Sequence, residues 1–92
     1  MGSENVMIRV PPYTAEEGIG LEWDDDFCIL CDVDAAGVVV IQANPSGLRS
    51  LARHLLTLAQ NNVPDGAHVH LDEFSALEDG SREVVLARRT EF

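Results

Sequence analysis

One stretch decides the fold of this chain, NPSGLRSLARHLLTLAQ, which occupies residues 44–60. Asn44 has the side chain of a helix N-cap, and Pro45 suits the first helical position, where a backbone N–H is not needed. Apolar residues then recur every three or four positions, which is the period of a helix with one apolar face: Leu48, Leu51, Ala52, Leu55, Leu58 and Ala59. The stretch predicts an amphipathic helix over about residues 45–60, with Arg53 on its polar side.

Short apolar segments on both sides of this helix predict five strands. The turn-like sequence Asp34-Ala35-Ala36-Gly37 separates two of them and indicates a hairpin. The predicted strands cover residues 5–10, 27–33, 38–43, about 67–73 and 82–89. The order is therefore β-β-β-α-β-β. It predicts one α+β domain over residues 1–92, with the helix packed on one face of a mostly antiparallel sheet.

The strand at about residues 67–73 alternates strictly between apolar and polar residues. Ala67, Val69 and Leu71 occupy one face, and His68, His70 and Asp72 occupy the other. A one-residue slip would bury two imidazoles and a carboxylate, so the apolar face must meet the helix. We expect the helix leucines Leu48, Leu51, Leu55 and Leu58 to pack against Val69, Leu71, Val84 and Leu86. Leu55→Ala is then expected to cost about 2–5 kcal/mol.

The excess of acidic over basic residues bears on which macromolecules this chain can bind. Sixteen acidic and six basic residues give a net charge of −10, and nine of the acids lie in the first 34 residues beside one base, Arg9. A field of this sign repels phosphate backbones, which argues against nucleic acid and permits a basic protein. The run Asp24, Asp25 and Asp26 is either a solvated acidic loop or a docking site for lysines and arginines.

The same sequence shows no membrane or export signal. It contains no apolar run as long as a membrane span, and residues 1–5 lack the basic and apolar regions of a secretory signal. We therefore expect a cytoplasmic protein that does not bind membranes.

The pattern His68-Val69-His70-Leu71-Asp72 is open to three interpretations. Two histidines on one strand face could bind one metal ion with Asp72, and His54 or Asp32 could supply a fourth group. This arrangement would make the chain a metal-binding protein or a metal-dependent hydrolase. The alternatives are a solvated strand face and a protein-contact face. Because no other catalytic constellation is complete, we expect a non-enzymatic protein without a cofactor.

Three motifs carry a resemblance to a known family. They are Asn44-Pro45-Ser46-Gly47-Leu48 at the helix start, the segment 68–72, and the segment 77–86 with its Gly-Ser-x-Glu entry to the last strand. Together they resemble the immunity proteins of bacterial polymorphic toxin systems, of the immunity protein 32 type, over roughly residues 38–89. The resemblance implies a protein that binds and neutralises a cognate toxin encoded beside it. Its acidic N-terminal third suits a basic toxin, and an unpaired sheet edge would favour a homodimer.

Overall fold

The structure, a computed structural model, describes residues 2–92 and has the element order β-β-α-β-β. The elements are β1 Ile29–Val33, β2 Val39–Ala43, α1 Pro45–Leu58, β3 His68–Leu71 and β4 Val84–Ala87. β1 pairs with β2 and β3 pairs with β4, both antiparallel, in two separate two-stranded sheets. The prediction of five strands in one sheet, in the order β-β-β-α-β-β, is therefore wrong.

The strand predicted at residues 5–10 does not form. Its backbone instead contacts polar side chains of the helix region: the Arg53 guanidinium donates to the Arg9 carbonyl at 2.9 Å, and the Gln60 amide donates to the Pro11 carbonyl at 2.9 Å. Gln60 also accepts the backbone N–H of Tyr13 at 3.1 Å. These side chains take the place of a partner strand, because a pair of prolines after Val10 has no N–H for a ladder.

The predicted hairpin is confirmed by β1 and β2. Asp34 begins its turn by accepting the N–H groups of Ala36 and Val38 on its carboxylate, and Gly37 closes the turn at a φ of 84°, which favours glycine. On its other side, β1 is bonded by the segment 78–82 that leads into β4. The Ile29 carbonyl accepts the N–H of Glu78 at 2.8 Å, so the chain passes from one sheet to the other along β1.

The helix begins where the sequence predicts. The Asn44 side-chain oxygen accepts the N–H of Gly47 at 2.8 Å and the N–H of Cys28 at 3.0 Å, so one residue caps α1 and ties it to β1. α1 ends at Leu58, two residues earlier than predicted. Within residues 2–92, no helix combines the length and apolar character needed to cross a membrane.

The core lies between α1 and the two sheets. Its buried apolar members come from every element except β2 and β4, and the half-buried Ala43, Val84 and Leu86 pack against them. The cluster contains Ile29, Cys31, Leu58, Val69, Leu71 and Leu77. The predicted packing of Leu58, Val69 and Leu71 is thus confirmed.

The buried face of α1 differs from the predicted one. Leu48 and Leu55 are each 53% exposed, whereas Arg53, at 8% exposed, is buried. The helix buries Gly47, Ser50, Arg53, His54, Thr57 and Leu58. The polar side is covered because the N-terminal segment lies on it and its carbonyls need donors. The apolar stripe of Leu48, Ala52, Leu55 and Ala59 is left at the surface.

Candidate functional site

The predicted histidine pair lies on the outer face of the β3–β4 sheet. His68 and His70 are exposed, and their rings meet edge to face with centroids 5.1 Å apart. In the strand register, His68 is opposite Ala87 and His70 is opposite Val85, so two apolar side chains of β4 complete this face. The prediction that the histidines point away from the helix is confirmed. The combination of rings and small apolar groups suits contact with a protein surface.

Asp72 does not join the histidine pair. Its carboxylate accepts the N–H of Phe74 at 3.0 Å and the hydroxyl of Ser75 at 3.0 Å, and so holds the turn that follows β3. Among residues 2–92, no group of three His, Cys, Asp or Glu side chains is placed to hold a metal ion. The structure therefore gives the metal interpretation of His68, His70 and Asp72 no support.

His54, which the sequence indicates with Asp32 as a candidate fourth ligand, lies in the core. It is 0% exposed and packs edge to face on Trp23 with ring centroids 4.3 Å apart. Neither ring nitrogen has a hydrogen-bond partner within the described chain. Burial, and then the neighbouring charge of Arg53, lower the pKa of His54 below its usual value, which favours the neutral form of the ring. It is a packing residue.

The three aspartates of the acidic run differ in environment. Asp24 contacts Arg53 at 2.8 Å and Arg49 at 3.3 Å, and its own N–H donates to the Ser50 hydroxyl. Desolvation acts to raise the pKa of Asp24, but the hydrogen bonds and charges of the two arginines outweigh it and lower the pKa. Asp24 therefore fixes the N-terminal segment to α1.

Asp25 and Asp26 remain exposed at the surface. Asp26 has a φ of 59°, and its carbonyl accepts the amide of Asn44 at 2.8 Å, so the backbone of the run is held against the helix N-terminus. Neither carboxylate forms an ion pair within residues 2–92. Both charges are available to a partner.

A second acidic feature lies on the hairpin and was not singled out from the sequence as a contact site. Leu30 and Val40 form an apolar floor, and Asp32 and Asp34 lie beside them, around a shallow groove of about 220 Å³ that Gln42 completes. A lysine or arginine side chain has the matching chemistry, with an apolar stem and a charged end. The signal available in the sequence was the alternation of Leu30 and Asp32 along one face of β1, which Asp34 continues into the turn.

The comparison with known families decides what kind of protein presents these surfaces. The family model described as immunity protein 32 matches residues 38–89, more than half of the chain. The chain belongs to the immunity protein 32 family. The family prediction made from the sequence is thus confirmed, and membership implies a toxin-neutralising role and a toxin as partner. No curated protein and no solved structure shows significant similarity to the chain.

The matched segment runs from the residue before β2 to two residues past the end of β4. It therefore contains the helix and both histidines, whereas Asp25, Asp26, Asp32 and Asp34 precede it. The family match covers β2, α1, β3 and β4. The four exposed aspartates belong to the part of this chain that the match does not include.

Proposed function

We propose that this immunity protein neutralises its cognate toxin by direct contact, without catalysis, and that the toxin presents a basic surface to the acidic side of the chain. The observation that carries the proposal is that most carboxylates of the N-terminal third form no ion pair with a basic residue of the described chain. Of the nine acids in the first 34 residues, two pair with arginine in the described chain, Glu22 and Asp24. The others keep their charge exposed to solvent, where it attracts a basic partner.

Asp25, Asp26, Asp32 and Asp34 are the residues proposed to contact the toxin, and Asp34 also holds the hairpin turn by accepting the N–H groups of Ala36 and Val38 on one carboxylate oxygen. Two lie beside the helix N-terminus, and two border the groove on the hairpin. Such charges mainly raise the association rate and suppress wrong partners, so apolar contacts must supply part of the affinity. Leu30 and Val40 in the hairpin groove offer that apolar contact. Asp24 has a structural role, because its carboxylate is already bound by Arg49 and Arg53.

The histidine face is a second proposed contact region. His68 and His70 are exposed beside Val85 and Ala87, with no structural task apart from the His68 contact to the Gly66 carbonyl and the loose His70 contact to Glu83. Replacing both histidines by alanine therefore tests this region with little expected effect on folding. Asp72 belongs to the region only through its backbone position, because its carboxylate holds the following turn.

A pair of charge-matched variants tests the proposal. Asp25→Lys with Asp32→Lys reverses two exposed acids of the proposed region, and Glu78→Lys with Asp79→Lys reverses two exposed acids outside it. Both double variants change the net charge from −10 to −6. The probe is the toxin-like protein encoded by the neighbouring gene, and the measurement is its association rate with each variant at low and high salt.

The proposal predicts that the first variant associates about tenfold or more slowly than the parent at low salt, while the second stays close to the parent. The difference should shrink as salt is added, since ions screen exposed charges. Equal rates for the two variants would show that the toxin does not use the acidic side. Slow association of the double histidine variant alone would place the contact on the β3–β4 face instead.

A further inference from the structure

β4 has one paired edge and one open edge. Its partner strand is β3. The hydrogen bonds of Arg88, the residue after β4, show which backbone groups of the strand point toward β3. The Arg88 N–H donates to the Ala67 carbonyl at 2.8 Å, and the Arg88 carbonyl accepts the Gly66 N–H at 2.9 Å. Backbone groups alternate in direction along a strand, so those of Val85 and Ala87 point away from β3. No other strand in residues 2–92 pairs with them.

The open edge is accessible. Beside it lies a groove of about 560 Å³ between the C-terminal half of α1 and β4, lined by Leu55, Leu58, Ala59 and residues 85–90. Leu55, which lines it from the helix, is about half exposed. An uncovered strand edge next to apolar side chains is a template for pairing with another chain.

We propose that this edge joins two copies of the chain, with β4 antiparallel to β4 of the second copy about a two-fold axis at Leu86. In this register Val85 of each copy lies opposite Ala87 of the other, and their outward N–H and carbonyl groups bond reciprocally. Glu83 then lies opposite Arg89 of the second copy, on both sides of the axis. The edge is self-complementary in shape and in charge.

Charge selects this register over its neighbours. A two-fold axis at Val85 would place Glu83 opposite Ala87, which leaves the carboxylate without a cation. An axis at Ala87 would place Val85 opposite Arg89 and Glu83 opposite Glu91, a pair of like charges. The axis at Leu86 alone matches both the apolar pair and the charged pair.

The location of the edge also favours self-association of an otherwise acidic chain. Residues 82–89 contain three arginines and one glutamate, so two copies meet along a segment whose own formal charge is positive. At the axis, the two Leu86 side chains lie on the face that packs toward the core. Directly opposed residues of this non-hydrogen-bonded kind come closest together, so the two leucines would bury each other beside the groove.

This inference does not depend on the proposed acidic toxin contact, which uses other residues, but it shares Val85 and Ala87 with the proposed histidine face. The two charged positions are suitable for substitution. Glu83 has His70 as its contact within the chain, at 3.7 Å, and Arg89 contacts the Glu91 carbonyl and the ring of the exposed Phe92. Changes at either position are therefore expected to leave the core intact, and circular dichroism is the check that each variant is folded.

Sedimentation velocity from low micromolar to near-millimolar concentration tests the dimer. The parent chain is expected to pass from monomer to dimer as concentration rises. Glu83→Arg alone and Arg89→Glu alone each place like charges opposite one another and should raise the dimer dissociation constant about tenfold or more. Mixing these two variants pairs opposite charges again, so an equimolar mixture should dimerise as the parent does.

Three results would overturn the inference. A parent that stays monomeric over the whole range has no such interface. A dimer unaffected by either single variant uses another surface, and a mixture that fails to recover dimerisation does not have the register centred on Leu86. If the single variants instead abolish binding of the neighbouring toxin by a monomeric parent, the edge is a toxin site and not a dimer interface.

Discussion

Leu58→Ala and Leu55→Ala form a matched pair that tests which face of α1 packs inward. Leu58 is 5% exposed and belongs to the core cluster, where it is joined by Val69 and Leu71. Truncating a buried leucine removes its transfer free energy and leaves a cavity, so Leu58→Ala should lower the free energy of unfolding by about 2–5 kcal/mol. Leu55 is 53% exposed and leaves no enclosed cavity. Half of the roughly 1.5–3 kcal/mol of full burial gives a cost of about 1 kcal/mol for Leu55→Ala.

Urea unfolding followed by circular dichroism measures both costs, at a concentration low enough for the monomer to predominate. A domain of this size has a stability of about 5–14 kcal/mol, so Leu58→Ala removes a large share of it. Each kcal/mol corresponds to roughly 4–8 °C in Tm, which gives a second reading of the same difference. If Leu55→Ala proves as costly as Leu58→Ala, or costlier, the leucine stripe faces the core and the helix orientation described above is wrong.

Three further predictions concern the helix and its contacts. Arg53→Met removes the donor to the Arg9 carbonyl and the partner of Asp24, so limited proteolysis should cut residues 2–24 faster than in the parent. Arg49→Met changes an exposed arginine and should have a smaller effect on the rate of cleavage. Gly47→Ala should destabilise the fold despite alanine's better helix propensity, because a Cβ there would lie 2.6 Å from the Cys28 carbonyl oxygen and 2.9 Å from Ile29 Cγ1; unchanged or raised thermal stability would contradict that contact. The pKa of His54 in the folded chain lies below its unfolded value of about 6.5, so the unfolded state binds more protons. The free energy of unfolding should therefore fall as pH drops below about 6.5, by at most about 1.4 kcal/mol per pH unit. His54→Leu should remove that part of the pH dependence in chemical denaturation between pH 7.5 and 5.5, and the same slope in this variant would assign it to another group.

Local signals in the sequence predicted the local structure. The Asn44-Pro45 start of the helix, the turn at residues 34–37 and the alternation of β3 each depend on neighbours in the chain, and each is present in the structure. The exposure of His68 and His70 followed from that alternation.

The orientation of the helix depended on contacts that the sequence does not reveal. The helical period predicts Arg53 on the polar side of α1, yet Arg53 and Gln60 bind carbonyls more than 40 positions away, at Arg9 and Pro11. The carbonyls of the N-terminal segment accept hydrogen bonds from these side chains instead of from a partner strand. The segment therefore lies on the polar face of α1, and no first strand forms. A hydrophobic pattern alone cannot show that a polar face is buried by hydrogen bonds.

The candidate site was predictable to a similar extent. The charge excess before residue 35 is visible in the sequence, but the difference between Asp24 and Asp25 is not, because the arginines that bind Asp24 lie 25 and 29 positions away. Asp72 was separated from the histidines by a local turn with Phe74 and Ser75. The spacing of Asp72 and Ser75 was the one signal that could have indicated this turn in advance.

Survival of cells that express the neighbouring toxin tests the central claim most directly. The toxin is induced in a sensitive host alone, with this chain, and with the folded charge variant Asp25→Lys, Asp32→Lys. The account predicts that the parent chain protects the cells and co-purifies with the toxin, and that the variant protects less well than Glu78→Lys, Asp79→Lys. Death of the cells at full expression of the folded parent chain, with no complex recovered, would contradict the claim that this chain neutralises that toxin by binding it.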